Sequence, residues 1–253
     1  MKVSILLVVK NKKDSLRNVL YSIVRQKTSF PYEVCVLDVN SSIELEPFIR
    51  EFIPDVRYKK LDEDVNFIYA KGVCLDLADP LSDVIVIQGE DVIQTQDFAL
   101  EDLCKQVGPK TVSIAEVLDI PIDKDFHKRF EPNMENILFD WGSHIYMHKS
   151  EIDGVKYTLN SYRTGKELPA AILFFLGAIR REDLSLLDFQ ENNCDAVIGP
   201  KMKELGFKVN YPDVKGIHQR HIKISHFCPV VDSCQYHCIR KVKKEKEEEE
   251  HKK

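Results

Sequence analysis

The run Val84-Ile85-Val86-Ile87, continuing into Gln88-Gly89-Glu90-Asp91, constrains this chain more than any other stretch. Four consecutive β-branched residues bounded by turn formers describe a strand buried on both faces, the kind found in a parallel sheet covered by helices. A carboxylate pair then stands at the strand's carboxyl end, where open α/β sheets bind their ligands. Two adjacent hard oxygen ligands suit Mg2+ or Mn2+ carrying a phosphate. The plainer alternative is that Glu90 and Asp91 cap a helix beginning near Thr95.

The same pattern recurs upstream. Val3-Ser4-Ile5-Leu6-Leu7-Val8-Val9 is a second buried-type strand, and it stops at Lys10-Asn11-Lys12-Lys13. Asp14 or Asn11 then caps a helix that carries Leu16, Val19, Leu20, Ile23 and Val24 on one face. Tyr32 to Leu37 forms a further strand, ending at Asp38-Val39-Asn40-Ser41-Ser42. A right-handed crossover sets these two strands parallel, with Lys10-Asn11 and Asp38 to Ser42 on one sheet edge. A short helix stopped by Pro54, a strand at Val56 to Lys60 and a helix from about Asn66 to Leu77 lead back to Val84. Strands alternating with helices predict an α/β fold with a doubly wound, mainly parallel, nucleotide-binding sheet.

Neither GxGxxG nor GxxxxGK[ST] occurs, which argues against a dinucleotide dehydrogenase and a P-loop NTPase. A nucleotide is then to be held by side chains and a metal. Asp38, at a strand end, can accept from a base imide or a ribose hydroxyl, or simply cap its turn. The net charge of −5 gives no general attraction to nucleic acid or to an anionic membrane. No apolar run reaches the roughly 18 residues that span a bilayer, and Met1-Lys2 leads straight into a strand, so a soluble cytoplasmic protein is expected. Seven cysteines, with Cys35, Cys74 and Cys104 in apolar surroundings, suggest reduced core thiols.

With these residues in view, the chain resembles family 2 glycosyltransferases of the GT-A fold. Val3 to Gln26, Tyr32 to Ser42 and Val84 to Asp91 look like the family's donor half, whose strands end near Asn, in Asp-Asp-x-Ser and in an Asp-x-Asp type metal motif. Gly177-Ala178-Ile179-Arg180-Arg181, Leu187-Asp188-Phe189-Gln190-Glu191, and Cys194-Asp195 heading a helix that ends Leu205-Gly206-Phe207 are similar to the acceptor half. The resemblance covers about residues 3 to 220. It implies one GT-A domain over residues 1–225, with a donor half to residue 100 and an acceptor half after it. Residues 226–253 then form an extension with a charged tail.

The resemblance also assigns roles. Val9, Asn11, Asp38, Lys71, Glu90, Gly177 and Ala178 would bind a nucleotide-sugar donor, most simply a UDP-sugar. Asp91, Glu90 and His218 would hold Mn2+ or Mg2+, with His221 as the fallback for the histidine. Asp195 matches the general base of inverting members, although its position also suits the N-cap of the helix that follows. Trp141 beside Asp140 and His144 offers a stacking platform for a glycan or glycoprotein acceptor, or else a core indole. Tyr157 to Lys166 reads as a loop over the site. Departures from the pattern are Gln88 where an acidic residue opens the motif, Val39 for a second aspartate, Tyr69-Ala70-Lys71 for Arg-Asn, and Cys194 for the glutamate before the base.

The expected activity is metal-dependent sugar transfer to an acceptor hydroxyl, with inversion favoured. Two rivals stand beside it. A sugar-1-phosphate nucleotidylyltransferase usually has a glycine-rich loop after the first strand, which Lys10 to Lys13 lacks. A non-catalytic sugar- or protein-binding module on a decayed transferase fold would account for Gln88 and Cys194. His226, Cys228, Cys234, His237 and Cys238 crowd the last stretch, but no CxxC occurs and ordinary packing is preferred to zinc.

Overall fold

The computed structural model describes residues 1–122, 151–152, 155–156, 175–187 and 195–221. All seven residues of β1 (Val3–Val9) are buried. Successive side chains of a strand point to opposite faces. Accordingly Val3, Ile5, Leu7 and Val9 enter one core, and Leu6 and Val8 enter another. Ser4, the polar member of the run, is satisfied inside: its hydroxyl donates to Glu33 at 2.7 Å and accepts from Ser82 at 2.6 Å.

Helix α1 (Lys13–Val24) lays Leu16, Val19, Leu20 and Ile23 into the first core, as their spacing predicts, whereas Val24 faces solvent. Neither predicted cap is used. Lys12 is the N-cap and makes no side-chain cap bond, while Asn11 takes a left-handed backbone with φ 55° and turns its side chain elsewhere. β2 (Tyr32–Val39) pairs parallel to β1 from Val3↔Tyr32 to Val9↔Asp38, so the two strand ends share an edge. α2 (Glu46–Phe52) adds Phe48 and Ile49 to the first core, and β3 (Arg57–Leu61) runs parallel to β2 at the sheet's rim. α3 (Phe67–Leu75) starts from Asn66, whose side chain accepts from the Ile68 N–H at 2.7 Å. It packs Ile68, Ala70 and Cys74 against the second core.

β4 (Val84–Gly89) is parallel to β1 and divides Val84 and Val86 from Ile85 and Ile87 between the two cores. A strand, β5 (Val92–Gln94), follows the turn, and α4 begins at Ala99 (Ala99–Lys105), past the Thr95 that the capping alternative requires. Glu90 and Asp91 therefore lie in a strand-to-strand turn and cap no helix. Then come β6 (Thr111–Ile114), β7 (Glu116–Ile122), β8 (Glu151–Ile152) paired with β9 (Val155–Lys156), β10 (Gly177–Arg180) and α5 (Arg181–Leu184). α6 (Asp195–Glu204), β11 (Lys208–Asn210) and β12 (Lys215–His221) complete the described elements.

The main sheet has seven strands in the order β11-β6-β10-β4-β1-β2-β3. β10 alone runs against its neighbours, between β4 and β6, and the others share one direction. A smaller sheet orders β5-β12-β7. Two of these strands have no local pattern to announce them. The polar run at β12 is a strand because it pairs with both β5 and β7. Gly177-Ala178-Ile179-Arg180 is a strand in the centre of the sheet, although four residues give too short a periodicity to show it. Cys35, Cys74 and Cys104 are free and buried, as expected. Among the described residues no helix is long and apolar enough to cross a membrane.

Candidate functional site

The carboxyl ends of β1, β2 and β4 lie side by side, and their turns are tied to one another. Asn11 N–H donates to the Ser41 hydroxyl at 3.0 Å, and Asn11 Oδ1 accepts from Ser42 N–H at 2.7 Å and from its hydroxyl at 3.0 Å. Asn11 and Asn40 both have positive φ, 55° and 52°. Non-glycine residues held in that region are costly and cluster at functional turns. On the rim, Lys10 Nζ donates to Asp64 at 2.6 Å, and Asn40 reaches the same carboxylate oxygen at 3.3 Å.

Asp38 is fully buried. One carboxylate oxygen accepts from Ser41 N–H at 2.9 Å and the other from the Tyr58 hydroxyl at 2.7 Å. Burial, together with that bond to Asp38, pushes the Tyr58 hydroxyl well above the usual phenol range. The structure thus places Asp38 under the Asn40–Ser42 turn, holding it from below. Val9, its register partner on β1, is likewise buried.

The turn between β4 and β5 is clamped by Gln88. Its side-chain amide donates to the Val92 carbonyl at 2.7 Å and accepts from the Gln94 amide at 2.8 Å. The turn is tight: a methyl added at Gly89 would stand 3.0 Å from Val92 Cγ2 and 3.3 Å from Asp91 Oδ1. Out of this turn, Glu90 and Asp91 converge on one cation, the ammonium of Lys12, at 2.9 and 2.8 Å. The side chains concerned are 14%, 12% and 20% exposed, so the cluster is shielded from bulk water yet reachable. Burial raises the Glu90 carboxyl above its ordinary value, and Lys12 works against that rise. For Lys12, burial alone would lower the ammonium's pKa, but Glu90 and Asp91 outweigh it and hold it above the usual lysine range.

Lys71 lies beneath this cluster. It is 1% exposed, its Nζ donates to the Gln88 carbonyl at 3.2 Å, and it stands 4.9 Å from the centre of the Phe67 ring. Burial pushes its pKa down to about 8, a fall that Cys74, Glu90 and Asp91 only partly offset. Gly177 and Ala178 are placed by β10 opposite Ile87 and Val86, with Gly177 level with the end of β4. In the small sheet, β12 sets His218 opposite Val92, the neighbour of Asp91, and opposite Asp119 of β7. His221 pairs with Ile122, beyond the end of β5.

Strand ends thus gather Val9, Asn11, Asp38, Glu90, Asp91 and Gly177 at one edge, and register brings the His218 backbone to it. Asp195 opens α6. Trp141, His144, the 157–166 loop and residues 222–253 lie outside the described residues. Lys12 is a participant that the sequence does not announce, having only its place after the first strand to recommend it.

Two convergent carboxylates already chelating one cation fit a hard divalent ion, with the Lys12 ammonium as the stand-in that marks the point of convergence. Among the described residues no cluster of three or more His, Cys, Asp or Glu side chains forms a complete metal site.

A mixed, mostly parallel sheet with an acidic turn at the carboxyl edge of its central strands defines the GT-A class of fold. The model for "Glycosyl transferase family 2" matches residues 4–165, and the chain belongs to that family. Similar solved structures include GalNAc-T7 with UDP, GalNAc and Mn2+ (TM-score 0.59, 14% identity, 95% of this chain and 47% of that one). The Pyrobaculum calidifontis mannosyltransferase PcManGT with GDP-Man and Mn2+ gives a TM-score of 0.52 at 17% identity, over 87% of this chain and 57% of the other. S. aureus TarS gives 0.52 at 12% identity, over 87% and 37%. The chain therefore spans about half the length of the first two. No curated protein matches it in sequence.

Proposed function

We propose that this chain transfers a sugar from a nucleoside diphosphate sugar, a UDP-sugar in the first instance, to an acceptor hydroxyl of a glycan or glycoprotein. The observation that carries the reading is the convergence of Glu90 and Asp91 on one cation, beside the tied Asn11 and Asn40–Ser42 turns. Structures of the same fold that hold UDP with Mn2+, or GDP-Man with Mn2+, support the donor class.

Glu90 and Asp91, with His218, would hold Mn2+ or Mg2+, which supplies positive charge against the departing diphosphate. The Asn11 and Ser42 turns would position the nucleoside, with Asp38 and Val9 acting through the backbone they fix. Lys71, Gly177 and Ala178 would form the floor of the donor site. Asp195 would accept the proton of the acceptor hydroxyl as that oxygen bonds to the anomeric carbon and the bond to the diphosphate oxygen breaks, inverting the centre in one displacement. Trp141 and His144 are the proposed acceptor platform.

The experiment is release of nucleoside diphosphate from a panel of UDP- and GDP-sugars with Mn2+, with and without simple glycan acceptors. Asp195→Asn is expected to lose acceptor-dependent release while binding UDP as before. Equal acceptor-dependent release by both proteins would remove Asp195 as the base, whereas binding of UDP with no release by either would favour a binding module on a transferase fold, a reading to which Gln88 in the turn lends some support.

A further inference from the structure

We propose that Lys12 is a resident counter-ion of the Glu90–Asp91 pair that a divalent metal must displace, so that this site takes up metal together with a nucleoside diphosphate and not alone. For the identity of the ligands the inference rests on the functional reading above.

Lys12 reaches from the N-cap of α1 to the β4–β5 turn, and its ammonium contacts Glu90 Oε1 at 2.9 Å and Asp91 Oδ2 at 2.8 Å. One lysine thus bridges both carboxylates at the point where a single cation can touch the two. An ammonium and a divalent ion cannot share that point: at contact range, and with little water to screen them, they repel, and each needs the same oxygens. A second cationic group, Lys71, lies just below, on the Gln88 carbonyl. The two carboxylates are therefore already offset, and a metal arriving alone has to expel a partly buried ammonium from both of its anions. A diphosphate removes this obstacle, because its oxygens can receive the displaced ammonium while sharing the metal. Metal and nucleotide are then coupled, each raising the other's affinity by the same factor.

The test is calorimetric titration of Mn2+ into the wild-type chain, Lys12→Met and Lys12→Arg, with and without UDP. The wild-type chain should bind Mn2+ at least about ten-fold more tightly with UDP than without it, within the usual range of coupling between two ligands. Lys12→Met should bind Mn2+ alone at least about ten-fold more tightly than wild type, and its response to UDP should shrink by a comparable factor. Lys12→Arg keeps the charge and should bind Mn2+ alone no more tightly than wild type. Melting curves with and without Mn2+ accompany the titrations, since Lys12→Met leaves two carboxylates without their cation. A larger Mn2+-induced rise in melting temperature in Lys12→Met than in wild type is the same result in a second readout.

Mn2+ affinity in Lys12→Met equal to or below that of wild type overturns the proposal, as does tighter Mn2+ binding by Lys12→Arg. If UDP binds with Mn2+ but Lys12→Met shows no gain for the metal, displacement falls and the donor reading stands. If Lys12→Met gains Mn2+ affinity but no protein binds UDP, the coupling and the donor reading both fall.

Discussion

Replacing Lys71 by Met should make the protein more stable at neutral pH, and by an amount that pH controls. Lys71 is 1% exposed and donates one hydrogen bond, to the Gln88 carbonyl. Burial lowers its pKa from the ordinary 10.5 to about 8. Between those two values the unfolded chain holds a proton that the folded chain does not, so this group's contribution to stability improves as pH rises through the window. Below about pH 8 lysine is charged in both states, and the full cost of burying the charge, ~3 kcal/mol at about 1.4 kcal/mol per unit, weighs on the fold.

Met keeps the unbranched stem and removes the charge. Losing the bond to the Gln88 carbonyl returns about 1 kcal/mol of that gain, leaving Lys71→Met roughly 2 kcal/mol more stable at pH 7. By about pH 9.5 the lysine is neutral in the folded state, and the advantage should shrink by about 2 kcal/mol. Urea unfolding of both proteins at the two pH values, followed by circular dichroism, measures this. The difference between the proteins is the quantity to read, because burial raises the Cys35, Cys74 and Cys104 thiols and pulls total stability the other way in alkali. A Lys71→Met protein that is less stable than wild type at both pH values, or a difference that does not move with pH, would refute the reasoning. It would mean that Glu90 and Asp91 fully compensate the buried ammonium.

Other perturbations probe the strand ends. Gly89→Ala sets a methyl against Val92 and Asp91, and is expected to cost about 1–3 kcal/mol of stability by overpacking and to weaken Mn2+–UDP binding, both measurable by melting and calorimetry. Asn11→Gly tolerates the left-handed backbone but loses the side-chain bonds to Ser42; unchanged stability with weaker UDP binding would assign those bonds to ligand positioning. Tyr58→Phe leaves one buried Asp38 oxygen without its donor and should cost about 1–3 kcal/mol in urea unfolding.

The first hundred residues were legible because strong local rules agreed there. β-branched runs marked β1, β2 and β4, and the apolar spacing of α1 marked its buried face. The alternative that Glu90 and Asp91 cap a helix fails because Val92–Gln94 is a strand, and only pairing with the distant β12 makes it one. Strand β10 is likewise made by its neighbours β4 and β6 rather than by four residues of its own. In the site, the acidic pair and the Asn11 and Asp38–Ser42 turns were readable from strand ends. That Asp38 spends both oxygens internally, and that Lys12 crosses to Glu90 and Asp91, are tertiary facts with no local pattern to announce them.

The central claim is that this strand edge holds a nucleoside diphosphate through a metal. Calorimetric titration of UDP, GDP and CMP, with Mn2+ and then with EDTA, tests it most directly. The account predicts that UDP binds with Mn2+, that chelation abolishes binding, and that Asp91→Ala loses it while still folding. If no nucleotide binds with metal present, or if UDP binds equally well to Asp91→Ala in EDTA, the carboxylate pair is a structural partner of Lys12 and the donor-site account is contradicted.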